Sequence, residues 1–341
     1  MLHDDILKEV TAIRRSAALM ADLESEFFPT APFEAFQRRV FSVLEAREER
    51  LKAGITEQKG AALIALAGTG KSRIAQQVIR NYREVAEATG GREFGSKIVS
   101  VVVPGRASIK DTLRAILREM GYPCEANRDE DYLTQRMQAQ FEIQCVAALH
   151  LDEVQDSGRY TTSDSMRMFG KKFRNLMQHG QWPVCLILTG TLESREFINH
   201  DQTLTRLIRP IEILPMTYAE DAQVLRQSAA RLVQRAGLSD GGLFAGPEFL
   251  KVFMHASAYR FGVAMEMTIE AIGEAMAEGD REISLDHYAG AYYLRMNCAD
   301  EVNPFMSPHW QAIETTVAMD RMLAQRQEDK EKKKRKKARA G

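Results

Sequence analysis

The 341-residue sequence has few cysteines and few tryptophans, four and two respectively. Cys124, Cys145, Cys185 and Cys298 form no C-x-x-C pair, which excludes a disulfide scaffold or a zinc ribbon. Cys145 and Cys185 fall in apolar runs that read as buried strands, a reduced and cytosolic pattern of usage. The seven histidines lack H-E-x-x-H or any other metal spacing, and His150, a polar interruption in an apolar run, reads as a packed side chain. No segment approaches the ~18 apolar residues of a membrane span, and Met1-Leu2-His3-Asp4-Asp5 leads into no apolar stretch. The expectation is a soluble cytoplasmic protein without a membrane partner. Net charge is also small, −1, but unevenly placed: residues 330–341 hold eight Lys/Arg and one Glu, or +7, leaving −8 for the rest. That tail has nothing apolar to bury and is expected to be disordered and attracted to phosphate.

What the sequence does have is a 45% hydrophobic content, enough for one large domain and a smaller companion. Residues 1–55 read as a helical lead-in, with Phe33, Phe36, Val40, Phe41 and Leu44 on one face. Over 56–215 short apolar runs alternate with helical stretches: Ala61–Leu66, Ile98–Val103, Val146–Leu151, Val184–Leu188 and Ile211–Leu214. Strands alternating with helices predict an α/β domain around a parallel five-stranded sheet. From 216 to 298 the strand signal ends, and the pattern is that of a small helical lid domain. Residues 299–329 read as an irregular strap, containing Asn303-Pro304-Phe305, and a helix, followed by the 330–341 tail.

Two motifs carry chemistry. Ala65-Leu66-Ala67-Gly68-Thr69-Gly70-Lys71-Ser72 follows the phosphate-cradling pattern G-x-x-x-x-G-K-[ST] except that alanine replaces the first glycine. It lies between an apolar strand and the helix opened by Arg73, itself counted among the candidate nucleotide-binding residues. Gly68, Thr69 and Gly70 bring backbone N–H groups to phosphates, the helix N-terminus adds a favourable dipole, Lys71 neutralises β- and γ-phosphate charge, and Ser72 holds magnesium. About 80 residues later the apolar run from Val146 ends in Asp152-Glu153. Asp152 is expected to position Mg2+ and Glu153 to polarise the attacking water. Thr189, in Thr189-Gly190-Thr191, would set a hydroxyl beside the γ-phosphate if its strand lies between those of the two motifs. Together these predict an ATPase using ATP and Mg2+. Arg206 and Arg209, just before the fifth strand, are candidates for a finger that reaches a neighbouring subunit's nucleotide, which can raise turnover by ~10³ to 10⁵.

The order of these motifs resembles that of the AAA+ ATPases, and within them the TniB/TnsC-type transposition ATPases. The resemblance rests on Gly68 to Ser72, Leu151-Asp152-Glu153, Leu188 to Thr191, the Leu204 to Pro210 arginine segment and Asn303-Pro304-Phe305, and covers about residues 25 to 306. It implies a homo-oligomer, a ring or helical filament, that assembles on double-stranded DNA and links a target-selector protein to a transposase. It also marks Arg260 in Tyr259-Arg260-Phe261-Gly262 as a second nucleotide sensor. Arg106, Ser108 and Lys110, after the second strand, become candidate DNA contacts, in a mode that tolerates any sequence. A protein-unfolding machine is disfavoured because that place lacks an aromatic-glycine pore loop. A helicase-loader-like ATPase would share the same core, whereas an ATP-binding switch without turnover would leave Glu153 and the arginine segment superfluous.

Overall fold

The computed structural model describes residues 2–105, 108–125, 127–157 and 163–340, with side chains throughout except at 2–9, 12, 156, 157, 163–168, 327, 328 and 330–340. Two compact units divide the chain, one made of 29–66 with 71–213, the other of 1–28, 67–70 and 214–341.

The first unit is α/β. Its elements are α2 (Ala31–Lys52), which follows an N-terminal α1 (Leu2–Ser25) of the other unit, then β1 (Gly60–Ala65), α3 (Lys71–Ala88), β2 (Lys97–Val102), α4 (Ile109–Glu119), α5 (Glu130–Ile143), β3 (Val146–Asp152), α6 (Ser163–Met177), β4 (Cys185–Gly190), α7 (Ser194–Asn199), α8 (Gln202–Leu207) and β5 (Ile208–Ile213). The five strands are all parallel in the order β2-β3-β4-β1-β5. β1, β3 and β4 are buried along their whole length, as expected of central strands covered by helices on both faces. α3 buries Ile74, Ala75, Val78, Ile79, Tyr82 and Ala86, a 3.6-period stripe. Each isoleucine or valine of the stripe, moved out of water, adds roughly 1.5–3 kcal/mol. β4 lies between β3 and β1, and the Thr189 hydroxyl, expected beside the γ-phosphate, is instead engaged by Asp152 and His150.

Three local expectations need correction. β5 begins at Ile208 rather than Ile211, so Arg209 and Pro210 lie within it, opposite Ala61 and Ala62; β5 is an edge strand, the place in a sheet where proline is tolerated. Cys145 is exposed and outside any strand, since α5 ends in a turn whose last residue, Cys145, has φ 51°. The basic segment from 330 continues a helix, Thr315–Ala340, instead of lacking structure; Lys, Glu, Arg and Ala are all good helix formers, so propensity replaces apolar burial as the ordering influence.

The second unit is helical: α1, α9 (Tyr218–Arg235), α10 (Pro247–Ala256), α11 (Phe261–Glu278), α12 (Leu285–Met296) and α13 (Thr315–Ala340). Phe244, Phe249, Phe253, Tyr288 and Phe305 form its aromatic centre, with ring centroids 5.1 to 6.3 Å apart. Asn303 holds the strap in place, its Nδ2 donating to the Ala289 carbonyl at 2.9 Å and its Oδ1 accepting from Phe305 N at 3.1 Å.

Two buried polar groups of the α/β unit carry consequences for stability. Arg47 on α2 donates to the carbonyls of Pro183 at 2.8 Å and Phe94 at 2.9 Å, with its guanidinium 5.4 Å from the Trp182 ring centre. Arg47→Leu leaves two carbonyls without a donor, and at ~1–3 kcal/mol per unpaired buried group unfolding in guanidinium should show a loss of about 2–4 kcal/mol; a loss below ~0.5 kcal/mol, the scale of an ordinary surface substitution, would refute that role. His150 lies inside β3 with both ring nitrogens engaged, by Ser100 and Thr189. Burial lowers its pKa to about 4, against the smaller opposing pull of Asp152. Between its unfolded pKa near ~6.5 and 4, the unfolded chain therefore binds a proton that the native chain does not, and stability falls as pH falls through that window. The loss is on the order of 3 kcal/mol at ~1.4 kcal/mol per unit. Urea midpoints measured from pH 7 to 4 should flatten in His150→Gln, and an unchanged slope would show that another group titrates there.

Candidate functional site

Parallel strands bring their C-terminal ends to one edge of a sheet, where loops can converge. In the α/β unit that edge carries Asp152 at the end of β3 and Thr189 near the end of β4. The Asp152 Oδ1 accepts from the Glu153 N–H at 3.0 Å and from the Thr189 hydroxyl at 2.5 Å. Glu153 has φ 56°, left-handed backbone that costs a residue with a Cβ about 1–3 kcal/mol and is typical of sites where aim matters more than comfort. Its side chain is held by two groups. Lys71, the first residue of α3 and itself buried, places Nζ 3.6 Å from Glu153 Oε1. Gln155 donates from Nε2 to Glu153 Oε2, while its Oε1 accepts from Thr191 N at 3.0 Å and Ser194 Oγ at 3.2 Å.

Gln155 is a site residue that sequence reasoning misses, because nothing in a Glu-x-Gln spacing signals a bridge to the loop after β4. Ser72 is half-buried and Arg73 exposed on the first turn of α3. Mg2+ prefers hard oxygen donors, and the Ser72 hydroxyl and Asp152 carboxylate are donors of that kind.

Residues Ala67 to Gly70 group with the helical unit. Gly68 and Gly70 have φ 77° and 92°, which a side chain would strain. The Gly68 carbonyl accepts from Val263 N at 3.0 Å. Gly262 has no room for a methyl group: a Cβ there would lie 2.4 Å from that same carbonyl oxygen. Arg260, fully buried, follows two left-handed residues, Ala258 and Tyr259. Its Nη1 donates to the Ala67 carbonyl at 3.2 Å and its Nη2 to Asp320 of α13 at 2.6 Å. The expected sensor arginine thus lies against the glycine loop. Ala65, in place of the first motif glycine, is the last residue of β1 and fully buried, so its methyl group faces the core.

The remaining candidates are scattered. Arg206 makes a bidentate pair with Glu57, at 3.0 and 2.6 Å, which holds the Glu57 carboxyl below its usual range. Arg209 is exposed on β5 and has no ion-pair partner among the described residues. Lys110 is exposed on the first turn of α4. Ser108 is its N-cap, accepting from Asp111 N at 3.2 Å, while the Ser108 N–H and hydroxyl donate to the Asp111 carboxylate at 3.0 and 2.7 Å. An acid of the chain itself therefore sits at that helix start. Arg106 lies outside the described residues.

Among the described residues Glu278, Asp280 and His287 come close enough to share a metal, a grouping that the spacing of the histidines does not suggest. His287 Nδ1, however, accepts from Ser284 N at 2.9 Å, so the neutral ring carries its proton on Nε2, the atom facing both acids at 3.2 Å. That nitrogen has no lone pair to give.

Residues 55–198 match the family model described as an AAA domain. No curated protein matches the chain. Among solved structures, the chain is similar to the Aeropyrum pernix ORC2 protein in ADPNP-ADP complexes, with 13% identity and a TM-score of 0.57 over 79% of this chain and 70% of that one. The Aeropyrum pernix ORC1 protein in complex with DNA gives 18% and 0.57 over 79% and 66%. Cdc6p from Pyrobaculum aerophilum gives 13% and 0.51 over 79% and 69%. The match to the AAA-domain model covers 55–198, and the chain has the AAA+ P-loop fold, a five-stranded parallel sheet followed by a helical region.

Proposed function

We propose that this protein is a magnesium-dependent ATPase that assembles as a homo-oligomer on double-stranded DNA and recruits or activates a transposase there. The observation that carries the ATPase reading is the clustering of Lys71, Asp152, Glu153 and Thr189, with Glu153 held in left-handed backbone beside Lys71. Lys71 and the N–H groups of Thr69 and Gly70 hold phosphate oxygens. Ser72 and Asp152 would hold the metal, which would supply positive charge against the phosphoryl oxygens. Glu153 accepts a proton from the attacking water, oriented for this by Gln155, and Thr189 fixes the Asp152 carboxylate. Within the helical unit, Arg260 beside the glycine loop is the proposed nucleotide sensor.

Between the two finger candidates, Arg209 suits the part better, because Arg206 is already committed to Glu57. The DNA reading draws on the fold likeness to a protein solved in complex with DNA and on the eight basic residues of 330–341. The transposition reading draws on the resemblance of the motif segments to TniB/TnsC-type ATPases.

Glu153→Gln should lower hydrolysis by about 10²-fold or more, the scale of a lost general base, while ATP stays bound and the oligomer is stabilised; undiminished hydrolysis would remove Glu153 from its role. Arg209→Ala should lower turnover by ~10³-fold without changing nucleotide affinity, and mixing it with Glu153→Gln subunits should restore part of the activity; a full-rate Arg209→Ala protein would shift the finger to Arg206. Negative-stain microscopy with duplex DNA and a nonhydrolysable ATP analogue tests the assembly. Rings or filaments on DNA support it; free rings without DNA would favour a protein-directed ATPase.

A further inference from the structure

Asp152 is reached by a chain of hydrogen bonds that starts on the neighbouring strand and passes through a third. On β2, the Ser100 hydroxyl lies 2.8 Å from His150 Nδ1; His150 Nε2 lies 2.9 Å from Thr189 Oγ1 on β4; and Thr189 Oγ1 lies 2.5 Å from Asp152 Oδ1. The register of the sheet makes this reach short, since Ser100 pairs with His150 and Leu151 with Leu188. His150, Thr189 and Asp152 are all buried, so bulk water offers them little alternative.

The chemistry of the groups fixes the direction of every bond. A carboxylate only accepts, so the Thr189 hydroxyl proton points to Asp152. The Thr189 oxygen then accepts, which places the one ring proton of neutral His150 on Nε2. Nδ1 is left with a lone pair and takes the Ser100 hydroxyl proton. Burial of His150, which disfavours its charged form, agrees with the neutral ring. β2 also grips the main chain of the same aspartate, because Val103 N, just beyond the strand end, donates to the Asp152 carbonyl at 2.9 Å.

We propose that Ser100 and His150 are positioning residues for the metal-binding carboxylate: they lock the Thr189 hydroxyl in one orientation and so aim Asp152. This rests on the nucleotide reading of Asp152 but makes claims of its own about the ring. Residues one shell behind a metal ligand set its orientation, and their loss commonly costs 10- to 100-fold in metal affinity or activity.

The test has two arms. The first reads the ring directly, by 15N NMR of the full-length protein: the expected signature is a neutral His150 with its proton on Nε2, and a proton on Nδ1 would overturn the proposal whatever the protein binds. The second titrates Mg2+ into the protein with a fluorescent ADP analogue. Ser100→Ala and His150→Leu should each raise the Mg2+ half-saturation about tenfold, with nucleotide affinity in EDTA unchanged, and Ser100→Thr, which keeps the hydroxyl, should restore it. The double variant His150→Leu with Thr189→Val should be no worse than Thr189→Val alone, as members of one chain are non-additive.

Normal Mg2+ dependence in a folded His150→Leu protein, or strict additivity in the double variant, would overturn the proposal. Failure of the wild-type chain to bind Mg2+ and nucleotide at all would instead sink the ATPase reading, and the ring signature would still decide the hydrogen-bond chain.

Discussion

A carboxylate at the end of a fully buried strand sets the terms for the α/β unit. β3 is inaccessible along its length, and Asp152 is nearly so. Burying a carboxylate there without hydrogen-bond donors close by would be costly. One donor is the next backbone N–H, and the other comes from β4. Sequence-adjacent strands are usually neighbours in space, yet β1 and β2 are not paired here; β3 and β4 lie between them. That order is what lets a threonine of β4 serve an aspartate of β3.

One of the few left-handed side-chain-bearing residues adjoins this carboxylate. Among the described non-glycine residues only Cys145, Glu153, Ala258, Tyr259 and Asn297 have positive φ. Glu153 is assigned to activating water, and Ala258 and Tyr259 immediately precede Arg260. Helix C-caps and turns account for left-handed residues such as Asn297, but Glu153 caps nothing. The side-chain bonds from Gln155 and the pairing with Lys71 offset the cost of keeping it there, and they fix where its oxygens point.

Much of this is legible in the residues. Each central strand is a run dominated by Ala, Val, Ile and Leu, which a doubly covered sheet accommodates, and the glycine loop and the acid pair stand at the ends of two of them. The parts that are not legible depend on who sits opposite whom. His150 reads as a packed side chain because its partners, Ser100 and Thr189, are 50 and 39 positions away, and a register cannot be read from one strand. Gln155 is hidden for the same reason, its anchors being Thr191 and Ser194. Arg209 reads as preceding β5 because Pro210 looks like a strand breaker; only the edge position of that strand makes the proline harmless. At Ser108 the nearby basic residues suggest a phosphate contact, yet Asp111 stands at the spacing of a capping box and takes the helix start for itself.

The two cations proposed to meet phosphate each stand beside an acid. In the α/β unit Lys71 faces Glu153, and in the helical unit Arg260 faces Asp320. A buried cation with no counter-charge is costly to desolvate, so a phosphate site built only of cations would weaken the fold that carries it. With an acid beside each, binding an anion exchanges one partner for another rather than burying a bare charge. The exchange is unequal at Arg260: a guanidinium has five N–H donors, its Nε has no acceptor, and Nη1 reaches its carbonyl at only 3.2 Å. Several phosphate oxygens would satisfy that group better than one carboxylate does. Asp320 is half exposed and loses little by returning to water, so on the proposed sensor role an anion would gain mainly from the donors that the chain itself leaves unused.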